Sequence, residues 1–376
     1  MHGFCGQEQG EGKQREGNKV KAKPVLAVIG GGMAGVSVAA RAAGEFQVTV
    51  LEAESQPAYH SSGRSAAVAI ECYENEIVSA LTAPGRDYQL AHGAKVMGSV
   101  TLADEAGLKM LAAFEARWGS VCESLLEISV SELTELVPIV NPDRIARVLI
   151  EKDALSLDAH ALLESFRRQL LDAGGQVVGN ARIEQIERRA AGWRLYWGDK
   201  TLDADVLVNA AGAWGDQIAE LAGVRPLGLS PLRRSAFLLD LEQDVSSWPL
   251  VHRVQGDLYF KPEAGLLMVS PADTNPSPPC DAQPEEFDLA VAADRFQQLS
   301  TVEVRRMSHS WAGLRTFLPD ECPAAGFDPD EESFFWLVGQ GGFGIQTAPC
   351  LSEVAATLLS GGDHPLAAGI APDRFR

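Results

Sequence analysis

The chain has 376 residues, 46% of them hydrophobic, and a formal charge of −19, so it can bury a substantial core as two domains or one large α/β unit. That charge excludes nucleic acid as a partner, because displacing counterions from phosphates needs a basic surface. Nowhere does the sequence offer the ~18 uninterrupted apolar residues that a bilayer-spanning helix needs, so a cytoplasmic protein without a membrane span is expected, with peripheral association left open.

Residues 1–23 mix glycine with charged side chains and hold no apolar run, which predicts a flexible tail rather than a signal peptide. From Pro24 the pattern changes. Val25 to Ile29 reads as a strand, Gly30 to Gly35 as a tight turn, the alanine-rich stretch Val36 to Ala43 as a helix, and Gln47 to Leu51 as a second strand ending at Glu52. Each glycine of this β-α-β unit has its own task. Gly30 permits the turn, Gly32 lets a pyrophosphate approach the backbone, and Gly35 lets the helix pack closely on the strand. The first amides of the helix then favour the diphosphate, while Glu52 can accept hydrogen bonds from ribose hydroxyls. This predicts a dinucleotide site and leaves FAD and NAD both open.

After the acid, Tyr59 to Val68 carries small residues at Ser61, Ser62, Gly63, Ser65, Ala66 and Ala67, with Arg64 among them. They would expose a second helix start able to wrap a diphosphate, and an ordinary capped helix fits as well. Here the sequence resembles the glycine oxidase and D-amino acid oxidase superfamily of FAD-dependent oxidoreductases, in which such a segment runs under the flavin. The resemblance implies non-covalent FAD, held also by Ala34, Ala53 and Val68.

Further along, Asp158 to Ala173 reads as a helix, and Val177, Ile183 and Ile186 lie in β-rich stretches. The resemblance gives Ile183 a backbone contact to adenine. Val206 to Trp214 looks like the family's central strand turning at Gly212 beside the cofactor, and Trp311 to Arg315 with Pro319-Asp320 like its returning stretch. Gly339 to Thr347, which contains Gly341, Gly342, Phe343, Gly344, Ile345 and Gln346, looks like the closing flavin loop that opens a helix to Leu359. A helix start with glycine amides stabilises the negative charge that hydride transfer brings. Relatives that attach flavin covalently use a cysteine before the Pro-Asp pair, and Trp311 to Leu318 holds none.

The implied fold is α/β (α+β overall), a Rossmann-like FAD-binding domain over 24–75, 150–228 and 310–376, with an interleaved, mainly antiparallel β-sheet substrate domain over 76–149 and 229–309. Within the superfamily, His60 to Tyr73, Ala80 to Ala83, Ala222 to Leu229 and Arg233 to Phe237 are similar to D-arginine dehydrogenase-type D-amino acid dehydrogenases. That pattern implies a small amino-acid substrate whose carboxylate meets Arg234 and Arg315, flanked by Tyr73 and Tyr259, with Gln346 near flavin and ligand. Arg233 is read as a surface partner. Hydride transfer from the α-carbon to flavin N5 would give an imino acid, then a keto acid and ammonia; oxygen, a quinone or another carrier would reoxidise the flavin.

Three departures bear on the substrate. Val96 to Val100 lacks the acid that meets a guanidinium in that pattern, Val68 and Ile70 replace a histidine and a hydroxyl residue, and His252 takes a usually apolar place. An apolar or differently polar side chain is therefore expected. Oxidation of a secondary amine or N-substituted amino acid is the alternative, and a flavin-binding module without catalysis a third reading. The six cysteines show no CxxC pair and the seven histidines no helical pairing, so buried reduced thiols and no metal are expected.

Overall fold

The computed structural model describes residues 22–73 and 75–376, so the tail expected over 1–23 lies, but for its last two residues, outside the described residues. The strand Val25–Ile29, the helix Met33–Ala42 and the strand Gln47–Leu51 form the β-α-β unit the opening sequence predicts. The two strands pair in parallel, and Val206–Asn209 joins the other side of Val25–Ile29, also in parallel. Six strands make this first sheet, in the order Ala324–Asp328, Glu331–Val338, Val206–Asn209, Val25–Ile29, Gln47–Leu51, Gln176–Val178; only the first runs antiparallel.

Period-two alternation dictates what covers each face. Leu26 and Val28 join a core with the helices Met33–Ala42 and Gly344–Leu359, while Ala27 and Ile29 join another with Trp193 and Leu195 of a three-stranded meander. A buried parallel strand covered on both faces reads as continuous hydrophobics, as Val25–Ile29 does.

The second sheet has nine strands, antiparallel but for the pair Leu250–Arg253 with Ser99–Ala103. One face carries Val251, Phe260, Leu267, Val269 and Phe237, which bury against Phe296 and Ala292 of the helix Glu286–Leu299. The alternate residues face the first sheet. Arg147–Glu151 and His309–Phe317 are both strands of this second sheet, so the boundaries expected at 149/150 and 309/310 run through it. The helix Glu76–Thr82, expected on the substrate side, buries Leu81 in the core of the first sheet.

The approach of helix to strand sets the nucleotide turn. A Cβ at Gly35 would lie 1.9 Å from the Gly30 carbonyl oxygen, and one at Gly30 would meet Ala210 O at 2.4 Å with φ at +108°. No side chain moves aside to relieve a backbone contact. Gly35→Ala is expected to cost at least about 1–3 kcal/mol, the usual penalty of overpacking, read as a lower urea midpoint together with loss of bound flavin.

Candidate active site

A cavity of about 840 Å³ lies between the carboxyl ends of the first sheet's strands and the inner face of the second sheet. Crevices outside strand carboxyl ends are where open α/β sheets bind ligands, and pockets for organic ligands span about 300–1,000 Å³. At one end lie Glu52, Ala53, Ile183 and Gly212; Gly30, Gly32, Ala34, Ser61, Ser62, Ser65, Ala66, Ala67 and Val68 continue the wall; Tyr73, Arg234, Tyr259 and Arg315 meet at the second sheet, with Gly341, Gly342, Gly344, Ile345 and Gln346 beside them.

The nucleotide end is pre-organised. Glu52 is buried, and its carboxylate accepts the amides of Gly31 (2.7 Å) and Glu54 (2.8 Å), which fixes its direction and leaves one lone pair on each oxygen for a donor in the cavity. Ser62 Oγ accepts the amide of Met33 at 3.0 Å, tying the small-residue segment to the first helix start. The nitrogens His60 Nδ1 and Gln340 Nε2 are buried in residues of this wall and have no hydrogen-bond partner among the described residues, so each offers a contact to a polar ligand. These features fit a dinucleotide.

Strand alternation builds the substrate end. Ser230–Leu239 pairs antiparallel with His309–Phe317, setting Arg234 opposite Gly313 and Arg315 opposite Leu232. The two arginines therefore stand diagonally on one face, ~7–8 Å apart by strand geometry. Arg234 Nε donates to Asp273 O at 2.8 Å and stands 3.9 Å from the Asp273 carboxylate, and its guanidinium lies 5.9 Å from the centre of the Tyr259 ring. Arg315 Nη2 donates to Tyr73 Oη at 2.9 Å, and the guanidinium stacks 5.0 Å from the Phe317 ring. The next residue, Arg233, points to the opposite face, where it pairs with Glu285 and, at 3.0 Å, with Asp288.

Two of the expected residues line the cavity with side chains bonded to protein groups, and two stand off its wall. Gln346 borders the cavity, and its amide donates to Ile70 O (3.2 Å) and Thr82 Oγ1 (2.8 Å) and accepts from Ile70 N (3.3 Å), so it also holds the Ile70 segment. Arg64 directs its guanidinium to the carbonyls of Ala282 (2.8 Å) and Ala312 (3.1 Å) and to Asp281. Phe343 is buried against Val78 and Phe317, away from the wall. Gly63 is also off the wall, in a turn so tight that a Cβ would meet Ala58 O at 2.3 Å.

The side wall is largely apolar, with Ile70, Leu250 and Met268, and contains His252. Met97, from the stretch Val96 to Val100 that lacks the acid of the D-arginine pattern, packs behind that wall on Ile70 and Leu250. Burial pushes the imidazole pKa of His252 down to about 4, and the ring shares a 2.9 Å hydrogen bond with Thr101 Oγ1. His252 is thus a neutral polar group at physiological pH.

Sequence reasoning missed several wall residues, among them Trp214, whose ring lies 4.7 Å from that of His60, and Trp311, whose Nε1 donates to Arg64 O. Both stand inside stretches already singled out, and alternation from Arg315 would have marked Trp311. It also missed a cluster outside the cavity, where Cys72, Cys122 and Glu151 converge. Their wide sequence spacing carries no ligand signature.

The sequence matches the family described as FAD dependent oxidoreductase (DAO) over residues 26–358. It is 28% identical over 181 residues to FAD-dependent oxidoreductase domain-containing protein 1 of Bos taurus, a stretch covering 42% of this chain and 36% of that protein. The chain spans 36%, 42% and 58% of the length of three curated relatives it matches. Among solved structures, L-proline dehydrogenase from P. horikoshii superposes with a TM-score of 0.84 at 20% identity, covering 95% of this chain and 98% of that one. Glycine oxidase from Geobacillus kaustophilus gives a TM-score of 0.81 at 18% identity, covering 92% and 96%. At these identities the structures share the fold alone.

Two outcomes are expected. A Cβ at residue 342 would lie 2.0 Å from Arg315 Nε, so Gly342→Ala should displace the guanidinium and raise the apparent KM for a carboxylate substrate roughly tenfold or more, the worth of a charged hydrogen bond, with flavin content retained. His252 contributes stability that is full above the ordinary histidine pKa of ~6.5 and is lost as pH falls toward its folded value of about 4. The urea midpoint of His252→Gln should therefore fall less than wild type between about pH 7 and pH 5.

Proposed function

Since the chain belongs to the FAD dependent oxidoreductase (DAO) family and so works with FAD, we propose that it oxidatively deaminates a D-amino acid with an apolar or neutral side chain. The observation that carries this reading is the pair Arg234 and Arg315 on one face of the second sheet, at the cavity's inner end. Two guanidinium forks hold a carboxylate in fixed orientation and keep their charge at any working pH.

Gly30, Gly32, Glu52 and the wall from Ser61 to Val68 would hold FAD by non-covalent contacts, and the bound cofactor would supply the acceptor for the hydride of the substrate α-carbon. The residues of the chain do the rest. Arg234 and Arg315 fix the carboxylate, so the α-carbon and the amine are presented to the cofactor side in one pose, which lowers the entropic part of the barrier. Their positive charge disfavours the substrate's ammonium form and promotes loss of its extra proton, freeing the lone pair that forms the C–N double bond. Tyr73, held by Arg315, and Tyr259, beside Arg234, flank the site and exclude water. The imino acid then takes up water and releases ammonia and a keto acid. Ile70, Leu250, Met268 and neutral His252 offer a side chain apolar contact and one hydrogen bond.

Anaerobic mixing with a panel of amino acids tests this. D-alanine or D-methionine should bleach the flavin absorbance, with D-arginine weaker, and Arg315→Met should raise the apparent KM roughly ten- to a hundredfold. Bleaching by sarcosine or proline with none by D-amino acids would move the reading to secondary amines, and no bleaching by any would overturn it. Repeating the panel with oxygen and with a quinone identifies the acceptor, and acid precipitation that leaves flavin on the protein would refute non-covalent binding.

A further inference from the structure

We propose that Cys72, Cys122 and Glu151 form a binding site for one thiophilic divalent cation, of which zinc fits best. All three side chains are buried, and one ligand atom from each lies within 4.8 Å of the other two. A tetrahedral ion with metal–sulfur bonds of about 2.3 Å and metal–oxygen bonds of about 2.0–2.2 Å places its ligand atoms roughly 3.5–3.8 Å apart, so modest inward rotation closes the site.

The ligands come from three separated segments. Cys72 precedes Tyr73, Cys122 sits in the turn after the helix Leu108–Trp118 with its amide bonded to Trp118 O at 2.9 Å, and Glu151 ends the strand Arg147–Glu151. Glu151 is already aimed. Its Oε1 accepts Glu71 N at 2.8 Å and its Oε2 accepts Cys72 N at 3.1 Å, leaving one lone pair on each oxygen for an ion. Trp118, Phe114 and Leu125 pack around the two sulfurs and keep the surroundings apolar.

Two thiolates and one carboxylate balance the charge of a divalent ion to −1 and select a thiophilic metal over magnesium or calcium, which prefer all-oxygen shells. Binding releases the proton of each thiol to solvent, forms two metal–sulfur bonds and one metal–oxygen bond, and changes no oxidation state. A water completes the fourth position. The ion ties the segment that carries Tyr73 to the second sheet, and Tyr73 in turn accepts a hydrogen bond from Arg315. Its role is that of a clamp outside the cavity, independent of which amine is oxidised.

The test reads metal rather than activity. Full-length protein produced with added zinc and dialysed against metal-free buffer should hold one zinc per chain by elemental analysis. Cys72→Ser and Cys122→Ser should each hold none, while Cys280→Ser keeps it, with flavin content reporting that each variant is folded. Where a cysteine variant fails to fold, cobalt titration of wild type and Glu151→Gln decides: tetrahedral cobalt–thiolate bands in the red, beyond flavin absorption, are expected for wild type and should be weakened or lost in Glu151→Gln. Metal-free wild type without a cobalt band, zinc retained by both cysteine variants, a cobalt band unchanged by Glu151→Gln, or a Cys72–Cys122 disulfide in freshly isolated protein would each overturn the proposal.

Discussion

The antiparallel register between Ser230–Leu239 and His309–Phe317 is the constraint on which the candidate site depends. Nine residue pairs fix it, from Ser230 opposite Phe317 to Leu238 opposite His309. Because side chains alternate, this register puts Arg234 and Arg315 on the cavity face and sends Arg233 to Asp288 and Glu285 on the other. A slip of one residue would exchange these faces. Burial of Phe237 among Phe260, Phe296 and Val269 makes that slip costly, because it would drive a phenyl ring into the cavity and an arginine into an apolar core.

The same strand ties the two sheets together. Ser61 Oγ donates to Leu314 O at 2.7 Å, Arg64 to Ala312 O, and Trp311 Nε1 to Arg64 O, so the small-residue segment under the nucleotide end is fastened to the strand that carries Arg315. A further bridge runs from Gly341 N to Thr316 O at 2.9 Å, beside the start of the helix Gly344–Leu359. The nucleotide end of the cavity and the strand that carries Arg315 are thus built on shared hydrogen bonds.

Much of the first sheet is legible in the sequence because its signals are local. The glycines from Gly30 to Gly35 and the acid at Glu52 sit at the spacings of a β-α-β turn, and Asp158 caps the helix Ala159–Asp172 with its own side chain accepting Ala161 N. The second sheet is less legible, since its strands are paired across long separations and His309–Phe317 returns to Ser230–Leu239 from beyond a helix. For the same reason the destinations of Arg64 and the Gln346 amide escape a linear reading: their partners, Asp281 and Ile70, lie 217 and 276 residues away. The convergence of Cys72, Cys122 and Glu151 is invisible for that reason too.

Apart from Ile70, the side wall of the cavity is carried by three consecutive strands, Leu250–Arg253, Tyr259–Glu263 and Leu266–Ser270, each of which presents alternate residues inward while the others hold the core. The residues expected to hold the nucleotide lie on different elements. Selection can therefore rewrite Leu250, His252 or Met268 without disturbing either the cofactor cradle or the arginine pair. Such separability makes the scaffold evolvable: the chemistry of the side wall changes with one face of a short meander, while the glycine turn and the Arg234–Arg315 register are inherited intact.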